Sequence, residues 1–227
     1  VRVERIGMAT LYLGDCRDIA PKLPRPAAVI ADPPYGQQLG HERERRTGNW
    51  ILYPKMPGDD GAFDPSWLLD LGDRVLLFGA HHFANRLPVQ SGGGWIVWDK
   101  RGGKGSNLQG DAELAWMNRK SVVRVVTCFS SGIAGARQRD GVWHVTQKPV
   151  EIMRWCIEHA RVPAGGVIMD PYMGSGSTGV AAVQMGYQFV GIEIEPQYFD
   201  VACSRIEMAQ RQGGLFRYEQ SAGMGEG

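Results

Sequence analysis

Ala28-Val29-Ile30-Ala31-Asp32-Pro33-Pro34-Tyr35-Gly36 joins an apolar run to a carboxylate, two prolines, an aromatic ring and a glycine. A short apolar run bounded by turn residues predicts a buried strand. The prolines end that strand and hold the chain extended, so Asp32 and Tyr35 are expected to project from its carboxyl end. In open α/β sheets that end is where ligands bind. The chemistry available to such a tip is specific. The exocyclic amine of a nucleobase is a poor nucleophile, because its lone pair is delocalised into the ring. The Asp32 carboxylate and the Pro33 carbonyl can accept both amine hydrogens. That favours a tetrahedral nitrogen with its lone pair free, and the anion meets the positive charge that develops on attack. Tyr35 can stack on the base, which must leave a duplex to reach it. Asp32, Pro33, Pro34 and Tyr35 are the candidate catalytic set.

A second chemical signal lies near the other end of the chain. Gly166-Val167-Ile168-Met169-Asp170 reads as a buried strand running into Pro171-Tyr172-Met173-Gly174-Ser175-Gly176-Ser177-Thr178-Gly179. Glycines admit a ligand close to the backbone, and a helix from Thr178 to Met185 offers free N–H groups at its start. After Gly186, the strand Phe189 to Glu193 ends in an acid. Strand, glycine turn, helix, strand and acid make a nucleotide-binding βαβ unit, with the acid placed for ribose hydroxyls. Gly174-x-Gly176-x-x-Gly179 taken alone also fits NAD. It is not a phosphate-binding P-loop, since no Gly-Lys-Ser/Thr follows, and a dehydrogenase has no need of the Asp32–Tyr35 tip. Between the two signals, Thr146-Gln147-Lys148-Pro149 precedes a helix whose Val150, Met153, Ile157 and Ala160 share a face, so Thr146 to Lys148 sit at a helix N-terminus suited to a carboxylate.

The remaining elements must position these groups. Residues 1–8 are mixed and expected to be flexible. Thr10 to Asp15 predicts a strand and Cys16 to Leu23 a short helix, with Asp15 either its N-cap or an acceptor for a ligand amine. Residues 36–62 form a long polar stretch with five glycines, in which His41, Arg43, Arg45, Arg46 and Lys55 interleave with Trp50 and Tyr53. A structureless loop of this length suits a lid over a phosphate backbone, or a solvated loop with its aromatics tucked in. Asp64-Pro65 caps a helix through Leu71, Val75 to Gly79 is a strand, and a helix follows around His81 to Leu87, the histidines reading as helix-start residues. Gly94 to Asp99 is another strand. The basic loop after it, with Lys100, Arg101 and Lys104, fits phosphates or solvent. Glu113–Met117 and Val122–Phe129 predict two strands arranged as a hairpin. Arg137 and Arg139 lie on the next loop, and a last helix from Pro196 to about Arg211 precedes a loose tail from Gly213.

Composition bounds the class. The chain has 227 residues, a formal net charge of +1 and 43% apolar residues, enough for one well-buried α/β domain. It lacks the strongly basic balance that would announce nucleic acid, so any DNA contact must come from local patches. Cys16, Cys128, Cys156 and Cys203 are far apart with no Cys-x-x-Cys pair, which predicts reduced thiols and no metal site. No signal peptide or membrane-length apolar run is apparent, so a cytoplasmic, non-membrane protein is expected.

Asp32–Tyr35, Thr146–Pro149 and Asp170–Gly176, in this order, closely resemble the β-class DNA amino-methyltransferases, whose chain is circularly permuted with the catalytic half first. Tyr172 replaces the usual Phe and keeps an aromatic wall. The resemblance covers residues 9 to about 208. It implies a single Rossmann-like α/β domain, with a mixed, mainly parallel sheet of about seven strands and helices on both faces. It also implies S-adenosylmethionine as cofactor, held by Asp15, Asp32, Lys148, Asp170, Pro171, Tyr172, Gly174, Ser175, Gly176, Ser177, Thr178 and Glu193. In that assignment Glu193 takes the ribose hydroxyls and Lys148 lies near the cofactor carboxylate. Duplex DNA is the implied partner, gripped by Arg43, Arg45, Arg46, Lys100, Arg101, Lys104, Arg137 and Arg139. A homodimer and a restriction–modification setting are implied as well. Adenine enzymes of the family usually begin the catalytic motif with Asp and cytosine-N4 enzymes more often with Ser, so Asp32 points to the N6 amine of adenine. Only residues 100–145 are available for a target-recognition insertion, which implies short, shared or weak sequence recognition.

Overall fold

The structure is a computed structural model describing residues 1–36, 42–44, 50–52, 61–88, 93–103, 110–129 and 147–222. The chain opens with a hairpin, β1 (Arg2–Ile6) and β2 (Ala9–Leu13), turned at Gly7 with φ +55°. α1 (Cys16–Ile19) and a 3-10 turn (Ala20–Lys22) lead into β3 (Ala28–Ala31). β4 (Glu42–Glu44) and β5 (Trp50–Leu52) form a separate antiparallel pair. Next come α2 (Ser66–Leu69), β6 (Arg74–Phe78) and a 3-10 segment (Ala80–Arg86). β7 (Gly94–Asp99), β8 (Ala112–Met117) and β9 (Arg124–Thr127) follow. α3 (Val150–Ala160), β10 (Val167–Asp170), α4 (Ser177–Gln184), β11 (Gln188–Glu193) and α5 (Pro196–Ala222) complete the order.

Nine of these strands form one sheet in the order β1-β2-β11-β10-β3-β6-β8-β7-β9. The contiguous run β2-β11-β10-β3-β6 is parallel throughout. β8 runs antiparallel to both its neighbours, and β9 lies parallel to β7 at one edge. All four residues of β3 are buried, the pattern of a strand covered on both faces. One apolar layer packs α3, α4 and α5 onto the sheet through residues such as Met153, Ile157, Val180, Phe199 and Ile206. The opposite layer is closed by Cys16, Ile19, Leu68 and Phe83, from α1, α2 and the 3-10 segment. The mixed, mainly parallel sheet with helices on both faces is the architecture the sequence implied.

Local differences have local causes. The sheet has nine strands rather than about seven, and residues 1–8 are not loose: Arg2–Ile6 pair with β2. The charges of Arg2, Glu4 and Arg5 obscured an edge strand, whose outer side tolerates them. β8 and β9 are not a hairpin, because β8 inserts between β6 and β7 while β9 pairs with β7. Residues 36–62 include the β4–β5 pair, and the stretch around His81 is 3-10 rather than α-helical. The last helix runs on to Ala222, past Gly213 and Gly214. Two glycines cost roughly 1 kcal/mol each relative to alanine and do not by themselves end a helix.

Candidate active site

Because β2, β11, β10 and β3 are parallel neighbours, their carboxyl ends share one edge of the sheet. Each strand closes on, or within two residues of, an acid: Asp15, Glu193, Asp170 and Asp32 in spatial order. A cleft of about 450 Å³ opens over this edge, lined by all four acids, Tyr35, Lys148 and the glycine loop. That size is in the range of small-molecule sites, roughly 300–1,000 Å³.

On the β10 side, Asp170 is buried and accepts from the Tyr172 N–H at 3.0 Å and the Thr178 hydroxyl at 2.6 Å. Burial pushes its carboxyl up to about 7, against the pull of those two donors. Glu193 accepts from the Gly174 N–H at 2.8 Å through Oε2 and from the Glu195 N–H at 2.8 Å through Oε1. Burial raises its pKa, and the backbone donors oppose the rise. Each carboxylate oxygen has a second lone pair left for a ligand hydroxyl. Gly174 and Gly176 have φ +50° and +81°, and a Cβ on Gly176 would sit 3.0 Å from Ala202 of α5. The loop is also clamped by a residue that sequence reasoning missed. Arg205, on α5, donates to the Ser175 carbonyl at 2.6 Å, to the Ser175 hydroxyl at 2.9 Å and to the Ser177 hydroxyl at 3.3 Å. Ser175 in turn donates to Gln147 at 3.2 Å. At the β2 end, Asp15 accepts from the Arg17 N–H at 2.8 Å as the α1 N-cap while also lining the cleft.

On the β3 side, the Asp32 Oδ2 atom is hydrogen-bonded by the Lys148 ammonium. The same ammonium lies 2.9 Å from Glu113 Oε1, and Lys100 lies 3.1 Å from Glu113 Oε2. Burial works against the charge of Lys148, yet Asp32 and Glu113 outweigh it and hold the lysine protonated. Burial raises the Asp32 carboxyl, opposed by Lys148, whereas for Glu113 the two lysines overcome burial and hold it below its ordinary value. Asp32 Oδ1 is shielded from solvent and has no hydrogen-bond partner among the described residues. Tyr35 stacks on His82 with ring centroids 4.4 Å apart and planes 9° from parallel. Gly79 has φ +65°, and a Cβ there would fall 2.3 Å from the Tyr35 ring. Only glycine meets both conditions.

The sequence-level candidates therefore divide. Asp15, the Asp32–Tyr35 tip, Lys148, Asp170 to Ser175, Ser177, Thr178 and Glu193 line one cleft. Gly176 is the left-handed residue just ahead of α4. Lys148 is held by two carboxylates of the chain itself. Lys100 belongs to this ion network through Glu113, and Arg101 pairs with Asp111 at 3.2 Å. Arg43 lies in β4, whose side chains are outside the described set. Arg45, Arg46, Lys104, Arg137, Arg139 and Thr146 fall outside the described residues. Glu113 was also missed; its signal was a carboxylate inside the otherwise apolar Ala112–Met117 strand. Cys16, Cys128, Cys156 and Cys203 carry free thiols. Among the described residues no group of three His, Cys, Asp or Glu could hold a metal, and no helix is long and apolar enough to cross a membrane.

Residues 98–204 match the family model described as DNA methylase, of the N6/N4 type. The chain is 39% identical over 83 residues to the Type II methyltransferase M.Cfr9I of Citrobacter freundii, covering 32% of this chain and 27% of that protein. It thus spans about a quarter of the length of that curated relative. Its fold is similar to that of the M1.HpyAVI–SAM complex, with TM-score 0.57 and 20% identity over 87% of this chain and 98% of the other. It is similar as well to the PvuII DNA methyltransferase, described as cytosine-N4-specific, with TM-score 0.55 and 14% identity over 92% and 93% of the two chains. Residues 98–204 are thus similar to DNA methylases of the N6/N4 type, and the chain has the fold of solved DNA methyltransferases.

Proposed function

We propose that this chain transfers a methyl group from S-adenosylmethionine to the N6 amine of an adenine flipped out of duplex DNA. The observation that carries the reading is the juxtaposition, in one cleft, of the Asp32–Tyr35 tip with the clamped glycine loop and its acids. The charge of the cleft fits this cofactor. Asp15, Asp32, Asp170, Glu193 and Glu195 line it against the cations Lys148 and Arg17. An acidic cleft favours a sulfonium and an ammonium over the pyrophosphate of a dinucleotide, which decides between the two ligands the glycine pattern allows.

S-adenosylmethionine supplies, when bound, a methyl group on a positively charged sulfur. Glu193, held in place by two backbone N–H groups, is set to accept from ribose hydroxyls. Asp170 offers a carboxylate to a cationic group. Asp32 Oδ1 and the Pro33 carbonyl take the two amine hydrogens, and Asp32 meets the charge that develops on nitrogen. Tyr35, backed by His82, is the ring that stacks on the base in this reading. Alignment of amine and donor within the cleft provides the rest of the acceleration, with no covalent enzyme intermediate.

A second reading is methylation of the N4 amine of cytosine, which presents the same two hydrogens beside a ring nitrogen. The similarity to the cytosine-N4-specific PvuII enzyme favours it; the Asp at the head of the motif favours adenine. The deciding experiment incubates the chain with duplex DNA and methyl-labelled cofactor, then separates the nucleosides by mass. Label in N6-methyladenine is expected; label in N4-methylcytosine moves the base and leaves the chemistry, and DNA without label removes the function. A single methyltransferase domain acting as a homodimer in the cytoplasm belongs to the same reading. Light scattering at micromolar concentration tests the dimer.

A further inference from the structure

Asp32 shares its counter-ion. β8 runs antiparallel between β6 and β7, with Ala115 opposite Phe78, so the start of β8 reaches the edge where the parallel strands end. That register brings Glu113 against Lys148, and unlike Asp32 and Lys148 it is not among the residues that line the cleft. The Glu113 and Lys148 side chains are only 12% and 8% exposed. Buried charges are costly and persist where they are paired or serve a purpose. Both carboxylates hold the ammonium: Asp32 Oδ2 takes a hydrogen bond from Lys148, and Glu113 Oε1 lies 2.9 Å from it. Lys100 holds the other Glu113 oxygen, so four charges alternate from Asp32 to Lys100 and sum to zero.

We propose that Glu113 is a positioning residue for the methyl transfer: by drawing on Lys148, it limits how tightly that ammonium claims Asp32 and keeps Asp32 able to accept the target amine. The proposal rests on the reading of Asp32 as the amine acceptor. A carboxylate whose charge is wholly taken by one ammonium is a weaker acceptor for a second donor, and a second carboxylate on the same ammonium divides that pull. The groups acting on Asp32 are Lys148 ahead of α3, Glu113 on β8, Lys100 after β7 and Asp170 on β10, and Tyr35, in the same loop as Asp32, acts on Lys148. Of the acids among these, Glu113 is the one in contact with the ammonium that binds Asp32.

The test compares wild type, Glu113→Gln and Glu113→Asp as full chains, by single-turnover transfer of label to duplex DNA across pH and by calorimetric cofactor binding. Gln keeps the shape and removes the charge, leaving Lys148 to Asp32 alone. The acid limb of the rate–pH profile is then expected to move to lower pH and the plateau rate to fall roughly tenfold, with cofactor affinity within about twofold of wild type. Glu113→Asp should keep the wild-type acid limb. An unmoved limb in Glu113→Gln, or a loss of cofactor affinity as large as the loss of rate, would overturn the proposal. If Glu113→Gln does not fold, Lys100→Met probes the same chain of charges from its other end. Freed of Lys100, Glu113 pulls harder on Lys148, and the acid limb should move to higher pH; an unmoved limb there also overturns the proposal. Wild type that binds cofactor and labels no DNA would remove the functional reading itself, whereas active wild type with an unmoved limb removes only the role of Glu113.

Discussion

Asp32 and Asp170 close adjacent strands, and burial raises both, yet their surroundings separate them. Asp32 faces an ammonium, whereas Asp170 has only a hydroxyl and one N–H against its charge. Asp170 accordingly titrates at about 7, above the ordinary value of 3.8. The sign follows from proton uptake. Between these values the folded state binds more protons than the unfolded one, so Asp170 lowers stability progressively as pH rises from about 4 to about 7. A cationic ligand prefers the ionised form, so cofactor affinity should strengthen as pH rises through about 7. Calorimetry from pH 5.5 to 8.5 checks this, and Asp170→Asn should flatten the dependence; a wild-type affinity independent of pH would separate Asp170 from the ligand. For Asp32, replacement by Asn should cost at least ~10²-fold in transfer rate with cofactor affinity nearly unchanged, since its role is on the base. Glu113 still partners Lys148 in that variant, so its melting temperature should fall far less than if the ammonium were orphaned. Loss of cofactor binding instead would take Asp32 out of the transfer step.

At the scale of elements, what was legible in the sequence was what local pattern controls. β3 with its proline stop, and β10 with the glycine turn into α4, are short apolar runs punctuated by Pro and Gly, and they stand where the pattern put them. The acid at the end of each strand was legible for the same reason. What was not legible depends on pairing between distant segments. Nothing near Glu113 announces that β8 lies between β6 and β7, and without that register its carboxylate looks like any strand charge. Arg205 likewise acquires a role only when α5 packs beside the glycine loop. Gly79 shows the same dependence, and it is open to test. Its φ of +65° opens the 3-10 segment, and the Tyr35 ring fills the space a side chain would need. Gly79→Ala should cost roughly 1–2 kcal/mol for the left-handed backbone alone and displace Tyr35. We expect a lower melting temperature and slower transfer with cofactor affinity retained. Transfer at the wild-type rate would mean that the position of Tyr35 does not matter.

Over the whole molecule, charge decides how such a chain meets DNA. The net charge is +1 and the cleft is acidic, so no general attraction carries a duplex to it. Of the basic residues that suggested a DNA contact, Lys100 and Arg101 are engaged by Glu113 and Asp111. The proposal of local, electrostatic DNA binding rests on three clusters in the sequence: Arg43, Arg45 and Arg46; Lys100, Arg101 and Lys104, of which the first two would have to share their carboxylate partners; and Arg137 and Arg139. The first cluster follows the Asp32–Tyr35 tip most closely in the chain and interleaves with aromatic residues, so it carries the strongest expectation. Each phosphate contact releases counterions and adds about 0.9 to the slope of log affinity against log salt on B-form DNA. Replacing Arg43, Arg45 and Arg46 together by Ala should therefore flatten that slope by up to roughly 2.7, if all three meet phosphates. Affinity should drop by a similar factor on every sequence, because phosphate contacts fix position and carry no base information. Cofactor binding without DNA should not change, since the cleft is lined by other residues. A fluorescence titration of a labelled duplex at several salt concentrations measures the slope directly. A slope equal to that of wild type would remove this cluster from the DNA contact and leave the grip to the other two clusters.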